Sequence, residues 1–363
     1  MSRRHVAPRL IAVSLGAIVL GPVAHAGMIA QTAPALPTIV VLATGGTIAG
    51  AATTNVQAGY TSGQVGVEQL IAAVPEAKKI AKLRGEQISN IGSQDMNDEV
   101  WLKLANRVNA LLAMPEVTGI VITHGTDTIE ETAYFLDLVV KSRKPVVLTA
   151  AMRPATALSA DGPLNFYNAV AVAGSKQAAG RGVLVVVNDW IHDASSLTKT
   201  STTAVQTFWS PLSGLIGTVA YGQIDFYRGP IGKNTSTSEF SVAGVTALPR
   251  VDIIMAYENM DGALIDAAVA AGAKGLVIAG VGNGNLTQAA VKALAAQAKK
   301  GIVCVRASRV VTGRVGRNVE LEDDKLGFVA SLDKNPQKAR VLLRVALMKP
   351  RSVADVQRVF DEY

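Results

Sequence analysis

Seven short apolar runs, most of them rich in β-branched residues, recur along this 363-residue chain, at residues 39–42, 120–122, 146–148, 183–187, 251–255, 276–278 and 302–305. A run that is apolar at every position, rather than at alternate ones, reads as a strand buried on both faces. The intervening segments carry helical spacing. Val100, Leu104, Val108 and Leu111 share one face of a helix that Asp98 can cap. Thr128-Ile129-Glu130-Glu131 has the form of a capping box and opens a helix over residues 129–140, and Asn335 followed by Pro336 caps another. Strands alternating with helices predict an α/β fold built on a doubly wound, mostly parallel sheet.

The length suits about two domains of ~150 residues each. Residues 228–249 are rich in Gly, Pro, Ser, Thr and Lys and have no period, so they read as a linker. A larger N-terminal α/β domain is expected over 27–227 and a smaller C-terminal α/β domain over 250–363. Apolar residues make up 49% of the chain, too many for a disordered one. The net charge is +7, but its basic residues are scattered and not interleaved with aromatics, which argues against a nucleic-acid partner.

Residues 1–26 have the three parts of a secretory signal. Arg3, Arg4 and Arg9 precede an apolar stretch over 10–20, and Ala24-His25-Ala26 forms a small-x-small cleavage site. The apolar stretch is short for a membrane span; an anchored N-terminal helix is the alternative. Ser2-Arg3-Arg4 also hints at twin-arginine export, without the rest of that motif. The expected product is a periplasmic or secreted protein cut near Ala26 and free of the membrane. Loss of three arginines lowers its charge from +7 to +4. Cys304 is the one cysteine and lies in an apolar run, so it reads as a buried, inert thiol with no disulfide to form.

In an open parallel sheet, ligands bind beyond the carboxyl ends of the strands. The residues there are Thr44-Gly45-Gly46-Thr47, Thr123-His124-Gly125-Thr126-Asp127, Ala150-Ala151-Met152-Arg153 and Asn188-Asp189, with Lys199 a little further on. Hydroxyls, a carboxylate and a lysine thus collect at one rim. Two glycines let the backbone turn tightly and approach a ligand, although they also suit an ordinary turn. Thr126-Asp127 precedes a helix N-terminus, which favours a carboxylate ligand, while Asp127 can pair with an ammonium or simply help cap the helix. Desolvation could make Lys199 able to take a proton from a hydroxyl; a solvated surface lysine is the alternative. The loop Gly280-Val281-Gly282-Asn283-Gly284-Asn285 mimics a dinucleotide fingerprint poorly, because Asn285 stands where Gly or Ala is wanted. Walker A, His-Glu-x-x-His and Gly-x-Ser-x-Gly motifs are missing from the sequence.

Residues 43–50 (Ala-Thr-Gly-Gly-Thr-Ile-Ala-Gly) and 122–128 (Ile-Thr-His-Gly-Thr-Asp-Thr) resemble the two signatures of the bacterial type II L-asparaginases. Gly92-Ser93-Gln94-Asp95, Ala151-Met152-Arg153-Pro154, Ser159-Ala160-Asp161-Gly162, Asn188-Asp189, Thr198-Lys199-Thr200, the 280–285 loop and Asn335-Pro336-Gln337-Lys338-Ala339-Arg340 also match that family, so the resemblance covers residues 36–363.

The resemblance implies a cofactor-free, metal-free amidohydrolase that converts L-asparagine to L-aspartate and ammonia through an acyl-enzyme, with L-glutamine as a second candidate substrate. It implies Thr47 as nucleophile, Tyr60 as the lid residue bonded to it, and Thr126, Asp127 and Lys199 as a second catalytic group. Ser93, Gln94 and Asp127 would hold the α-carboxylate and α-ammonium, and the Ala151 carbonyl would meet the leaving nitrogen. Asn285 would support the substrate from further out, and Glu320 would reach in from a neighbouring subunit of a homotetramer. Either a Tyr60–Glu320 or a Lys199–Asp127 relay could remove the nucleophile's proton. Residues 111–117 are slightly longer than in close relatives, the lid reads Ala51-Ala52-Thr53-Thr54, and Asn285 leans towards asparagine. A dual glutaminase-asparaginase, an exported amino-acid binding protein and a nicotinamide-dependent oxidoreductase are the alternatives.

Overall fold

All seven apolar runs lie in strands, the last of them starting one residue later than expected, at Val303. The computed structural model describes residues 35–50, 54 and 63–363, within which Leu36–Tyr363 forms one compact unit. The expected signal segment 1–26, Tyr60 and residues 51–53 of the expected lid lie outside the described residues.

The larger sheet draws on β1 (Thr38–Gly45), β2 (Lys82–Ile91), β3 (Gly119–Thr123), β4 (Val146–Thr149), β5 (Val183–Val187) and β6 (Trp190–Asp193). A separate hairpin of β7 (Thr198–Lys199) and β8 (Phe208–Trp209) follows, and then β9 (Gly217–Ala220) and β10 (Gln223–Phe226) return to the large sheet. Its order is β10-β9-β6-β5-β4-β3-β1-β2. β2, β1, β3, β4 and β5 pair in parallel, while β6, β9 and β10 join by antiparallel pairing. The smaller sheet is β11 (Val251–Met255), β12 (Gly275–Gly280), β13 (Val303–Ser308) and β14 (Phe328–Ala330), parallel throughout.

Helices cover both faces of both sheets. α1 (Val67–Ala72), α2 (Ala77–Ile80) and α5 (Gly162–Gly174) pack on one face of the large sheet, against Ile39, Val41, Val121 and Val147. α3 (Asp98–Leu112) and α4 (Ile129–Val139) pack on the other, against Val40, Leu42, Ile120 and Ile122. In the small sheet α6 (Ala263–Ala270) and α7 (Gln288–Ala298) cover Ile254, Leu276, Ile278 and Cys304. After the short α8 (Asp323–Leu326), α9 (Pro336–Ala346) and α10 (Val353–Glu362) cover the opposite face. Burial on both sides is why the inner strands are continuously apolar; β11, expected to be buried on both faces, is instead an edge strand that contains Asp252 and exposes Ile253 and Met255. One hydrophobic core runs from Val40 and Phe135 through Leu342 to Val277 and Val305, joining the two sheets.

Residues 228–249 hold no regular element beyond a single turn at Thr235–Thr237. Phe240, Val242 and Leu248 from this stretch are buried in the common core. Cys304 is buried, and burial pushes its thiol up to about 12.

Further details differ from the sequence-based expectations. β2, Lys-Leu-Arg-Gly-Glu-Gln-Ile-Ser-Asn-Ile, carries no apolar run because it is an edge strand whose Arg84 and Glu86 face solvent and Arg107. α3 is capped by Asn97, whose side chain accepts from the Val100 N–H at 3.1 Å, and Asp98 is the first helical residue. Thr128 makes no side-chain cap on α4. Its hydroxyl donates instead to the Ser93 carbonyl at 2.7 Å. Asn188 and Asp189, with φ of 50° and 64°, form the two-residue turn between β5 and β6. Positive φ at both positions matches the twist of an antiparallel pair, so this dipeptide reverses the chain at the carboxyl end of β5, where the Asn188 N–H donates to Asn165 Oδ1 at 2.8 Å.

Candidate active site

Strand order decides where a ligand can sit. The chain leaves β1 for β2 on one side, then returns to lay β3 on the other side of β1. The connections diverge at this point and open a crevice at the carboxyl ends of β1 and β3.

Three loops meet there. Gly45 and Gly46 leave β1 with φ of 110° and 79°. A Cβ on Gly46 would lie 2.4 Å from the Cα and N of Gly125, so the loops after β1 and β3 touch backbone to backbone. Thr47 and Thr126 immediately follow the touching glycines, and both are buried. The Thr44 hydroxyl donates to the Thr123 carbonyl at 3.0 Å and ties the two strand ends together.

The third loop is the turn Ser93–Asp95 after β2. Its Ser93 hydroxyl accepts the Asp127 N–H at 3.1 Å, so the serine is locked to the residue that opens towards the crevice. The Gln94 amide folds back over Gly92, where a Cβ would come within 2.4 Å of it.

Lys199 arrives from β7, with Phe208 of β8 opposite it. Its Nζ donates to Thr126 Oγ1 at 2.9 Å and to Asp127 Oδ1 at 2.7 Å. The lysine side chain is 19% exposed and the aspartate 57%, so the carboxylate faces the opening while the ammonium sits behind it. An amine that donates to a hydroxyl in its charged form can accept that hydroxyl's proton in its neutral form.

The Ala150-Ala151 loop closes a further side. The Met152 and Arg153 N–H groups each donate to Asp161 at 2.9 Å, and Asn165 donates to the Ala150 carbonyl at 2.9 Å. Ala151 is held buried between these anchors. Sequence reasoning gave Asn165 no role and used Asp161 only as a motif match; Asp161 just ahead of the Gly-Pro opening of α5 was the available signal.

Asn285 and Glu320 belong to the other sheet. Asn285 closes a tight turn, exchanging N–H···O bonds of 3.0 and 2.7 Å with Val281. Glu320 is exposed and makes no hydrogen bond or ion pair among the described residues. One buried side chain fixes both loops. Arg306 pairs bidentately with Asp323 at 2.6 and 2.7 Å and donates to the carbonyls of Asn283, Gly284 and Gly316. The structure thus brings together the loops of Thr47, Ser93, Gln94, Thr126, Asp127, Ala151 and Lys199 around one crevice, and it sets Asn285 and Glu320 on a second, separately braced framework.

Histidine chemistry has no place at this rim. His124 is fully buried with Nδ1 2.8 Å from the Gly125 carbonyl, and burial pushes its pKa down to about 4. His192 is likewise pushed to about 4 by burial.

Residues 38–232 match the asparaginase N-terminal family model, and residues 250–360 match the glutaminase/asparaginase C-terminal domain model. The chain belongs to the asparaginase family. It is 52% identical over 337 residues to a probable periplasmic L-asparaginase of Haemophilus influenzae, covering 93% of this chain and 96% of that one. It is 50% identical to L-asparaginase 2 of Escherichia coli, covering 96% and 98%. A glutaminase-asparaginase of Pseudomonas fluorescens is 46% identical, covering 96% and 97%. Among solved structures, a probable cytoplasmic L-asparaginase from Campylobacter jejuni superposes with a TM-score of 0.88 at 45% identity, covering 90% of this chain and all of that one. As a member of the asparaginase family the chain is an amidohydrolase, with the larger mostly parallel N-terminal sheet and smaller parallel C-terminal sheet described above.

Proposed function

We propose that this enzyme hydrolyses L-asparagine to L-aspartate and ammonia at the crevice between β1 and β3, with Thr47 as nucleophile. The observation that carries this reading is the Thr126–Lys199–Asp127 cluster, braced by Ser93 and set one residue beyond the contact between Gly46 and Gly125.

A threonine hydroxyl attacks an amide only if a base takes its proton. In the proposed sequence the Thr47 oxygen bonds to the side-chain amide carbon while its proton passes to a relay group. The tetrahedral oxyanion is stabilised by backbone N–H groups of the adjoining loops. The C–N bond then breaks and the nitrogen leaves as ammonia with the relayed proton. Water attacks the resulting ester and regenerates Thr47. Two relays remain in the proposal, Lys199–Asp127 acting through Thr126, and Tyr60–Glu320. The cluster of charge-assisted bonds around Lys199 supports the first. Ser93, Gln94 and Asp127 are proposed to hold the substrate's α-carboxylate and α-ammonium, the Ala151 carbonyl the leaving nitrogen, and Asn285 the outer edge of the site.

The reading extends to assembly and location. Glu320 is proposed to act across a subunit interface in a homotetramer, which agrees with its exposure and with its loop being braced apart from the crevice. Residues 1–26 are proposed as a cleaved export signal, with the domain boundary in residues 228–249. Glutamine differs from asparagine by one methylene, worth only about 1–3 kcal/mol of discrimination in a pocket. The relative named glutaminase-asparaginase makes a dual activity the second reading.

Ammonia release by residues 27–363, with asparagine and glutamine side by side, tests both readings. Strong release from asparagine alone supports the first, comparable release from both the second. Saturable binding with release from neither would overturn the catalytic assignments.

A further inference from the structure

A lysine stands on the apolar stripe of α9, in line with Val341, Leu342 and Val345, and is itself buried. Nothing in the proposed chemistry uses it. Its surroundings tie it to the catalytic cluster from behind.

Three side chains from the start of α9 converge on one carboxylate. Lys338 Nζ donates to Glu130 Oε2 at 3.1 Å, Gln337 Nε2 to Glu130 Oε1 at 3.2 Å, and Asn335 Nδ2 to Glu130 Oε2 at 3.4 Å. The same helix end also holds the strand that carries Lys199. Lys338 Nζ donates to the Leu197 carbonyl, and Asn335 Nδ2 reaches Thr198 Oγ1 at 3.5 Å. Glu130 lies three residues beyond Asp127, and Leu197 two residues before Lys199. Two backbone segments distant in sequence therefore share one buried ammonium.

We infer that Lys338 is a positioning residue for the Lys199–Thr126–Asp127 cluster, setting the spacing between β7 and the start of α4 through Glu130 and the Leu197 carbonyl. The inference rests on the proposed catalytic role of Lys199. The physical argument is directionality. An apolar side chain of equal volume would fill the space and leave β7 free to shift along α4 by a fraction of an ångström. An ammonium that must meet a carboxylate oxygen and a carbonyl oxygen together, away from water, allows one register. A buried ion pair is a weak source of net stability, whereas a misplacement of about 1 Å in a catalytic group can cost about a hundredfold in rate. The chemistry also links the two sheets: the helix that covers the small sheet holds the catalytic pair on the large one.

The test uses the full mature chain with asparagine as substrate, and variants Lys338→Gln, Gln337→Ala, Lys199→Met and the doubles with Lys199→Met. Lys338→Gln should lower kcat about tenfold or more while KM stays within about threefold. Gln337→Ala, at a half-buried position that removes one donor of three, should lower kcat by less and in the same direction. In the Lys199→Met background neither change should reduce the residual turnover further, because the group being positioned is already gone. A Lys338→Gln loss of the same factor in both backgrounds, or a fall in melting temperature with kcat unchanged, overturns the inference. Should Lys338→Gln fail to fold, Gln337→Ala supplies the same comparison alone. Normal turnover in Lys199→Met by itself would instead remove the catalytic reading of Lys199, a result distinct from the others.

Discussion

Lys199 Nζ lies 2.7 Å from Asp127 Oδ1, although 72 residues separate them in the chain. The contact joins a two-residue strand outside the main sheet to the loop after one of its central strands, and Thr126 Oγ1 sits 2.9 Å from the same ammonium. A pair whose carboxylate is more than half exposed contributes little to stability, so the proposed role of Lys199 in proton transfer can be tested apart from the fold.

Replacing Lys199 by Met should therefore separate activity from stability. Turnover of asparagine should fall by about 10²–10⁴-fold, the range ascribed to a positioned proton-transfer group. The thermal midpoint should move by no more than a few degrees and the oligomeric state should not change. Ammonia release, calorimetry and light scattering on one preparation decide it. Turnover near that of the parent would take Lys199 out of the mechanism.

Glu320 offers a test of assembly. Thr47→Ala and Glu320→Ala chains should each be inactive alone. Unfolded, mixed and refolded together, they should regain part of the activity if Glu320 serves a neighbour's site, because some interfaces then pair an intact Thr47 with an intact Glu320. Recovery that never rises above the separate chains at any mixing ratio would place Glu320 in its own chain's site or outside the chemistry.

Gly46→Ala probes the backbone contact at the centre of the crevice. The new Cβ would require φ of 79° and would meet Gly125 at 2.4 Å, so neither loop can hold its place. A loss of more than about 1 kcal/mol in denaturant unfolding is expected, together with loss of substrate binding. A variant that binds asparagine normally in calorimetry would show that the two loops need not touch.

The buried ionisable groups set opposing pH dependences. His124 and His192 are pushed by burial to about 4, below the unfolded value of 6.5, so the unfolded chain binds more protons in between. Their stabilising contribution is present above about 6.5 and is lost as pH falls towards about 4. Asp137 is pushed by burial up to about 8, while its carboxyl accepts the Val183 N–H. The folded chain holds that proton more tightly, so this contribution is present below 3.8 and is lost as pH rises towards about 8. Unfolding curves across this range should show the acid-side loss shrink in a His124→Gln, His192→Gln double variant. Asp137→Asn, which keeps an acceptor for Val183, should gain stability over the parent most at the alkaline end. Parallel curves for parent and variants would refute the assignment of either arm.

Much of this molecule was legible before folding because burial writes itself into local pattern. A strand covered on both faces must be apolar at every position, and the runs that became β1, β3, β4, β5, β12 and β13 carry that mark, whereas β11, an edge strand, keeps Asp252 and exposes Met255. The glycine turn after β1 was legible as well, since Gly45-Gly46 permits a tight turn, while its backbone contact with Gly125 comes only from the fold. β2, β6, β7, β8, β9, β10 and β14 were not legible: β2 and β10 are partly exposed edge strands built largely from charged and polar residues, and the others are only two to four residues long. The caps misread at Asp98 and Thr128 show the same limit. Several neighbouring side chains can satisfy a helix end, and Ser93, a partner from a distant loop, drew Thr128 away from it.

The sequence by itself determined seven of the strands in the two sheets, the glycine turn at the rim and the set of hydroxyls, carboxylate and amine that could serve there. What only the tertiary structure decided was which of them meet. Spacing alone favoured a solvated Lys199 until β7 carried it to Thr126 and Asp127, and Lys338 was only part of a motif match until the fold set its ammonium between Glu130 and Leu197. The reason is physical: burial and turn preferences act within a few residues, whereas the bonds that join residues 72 and 208 positions apart depend on a register set by the packing of the whole core.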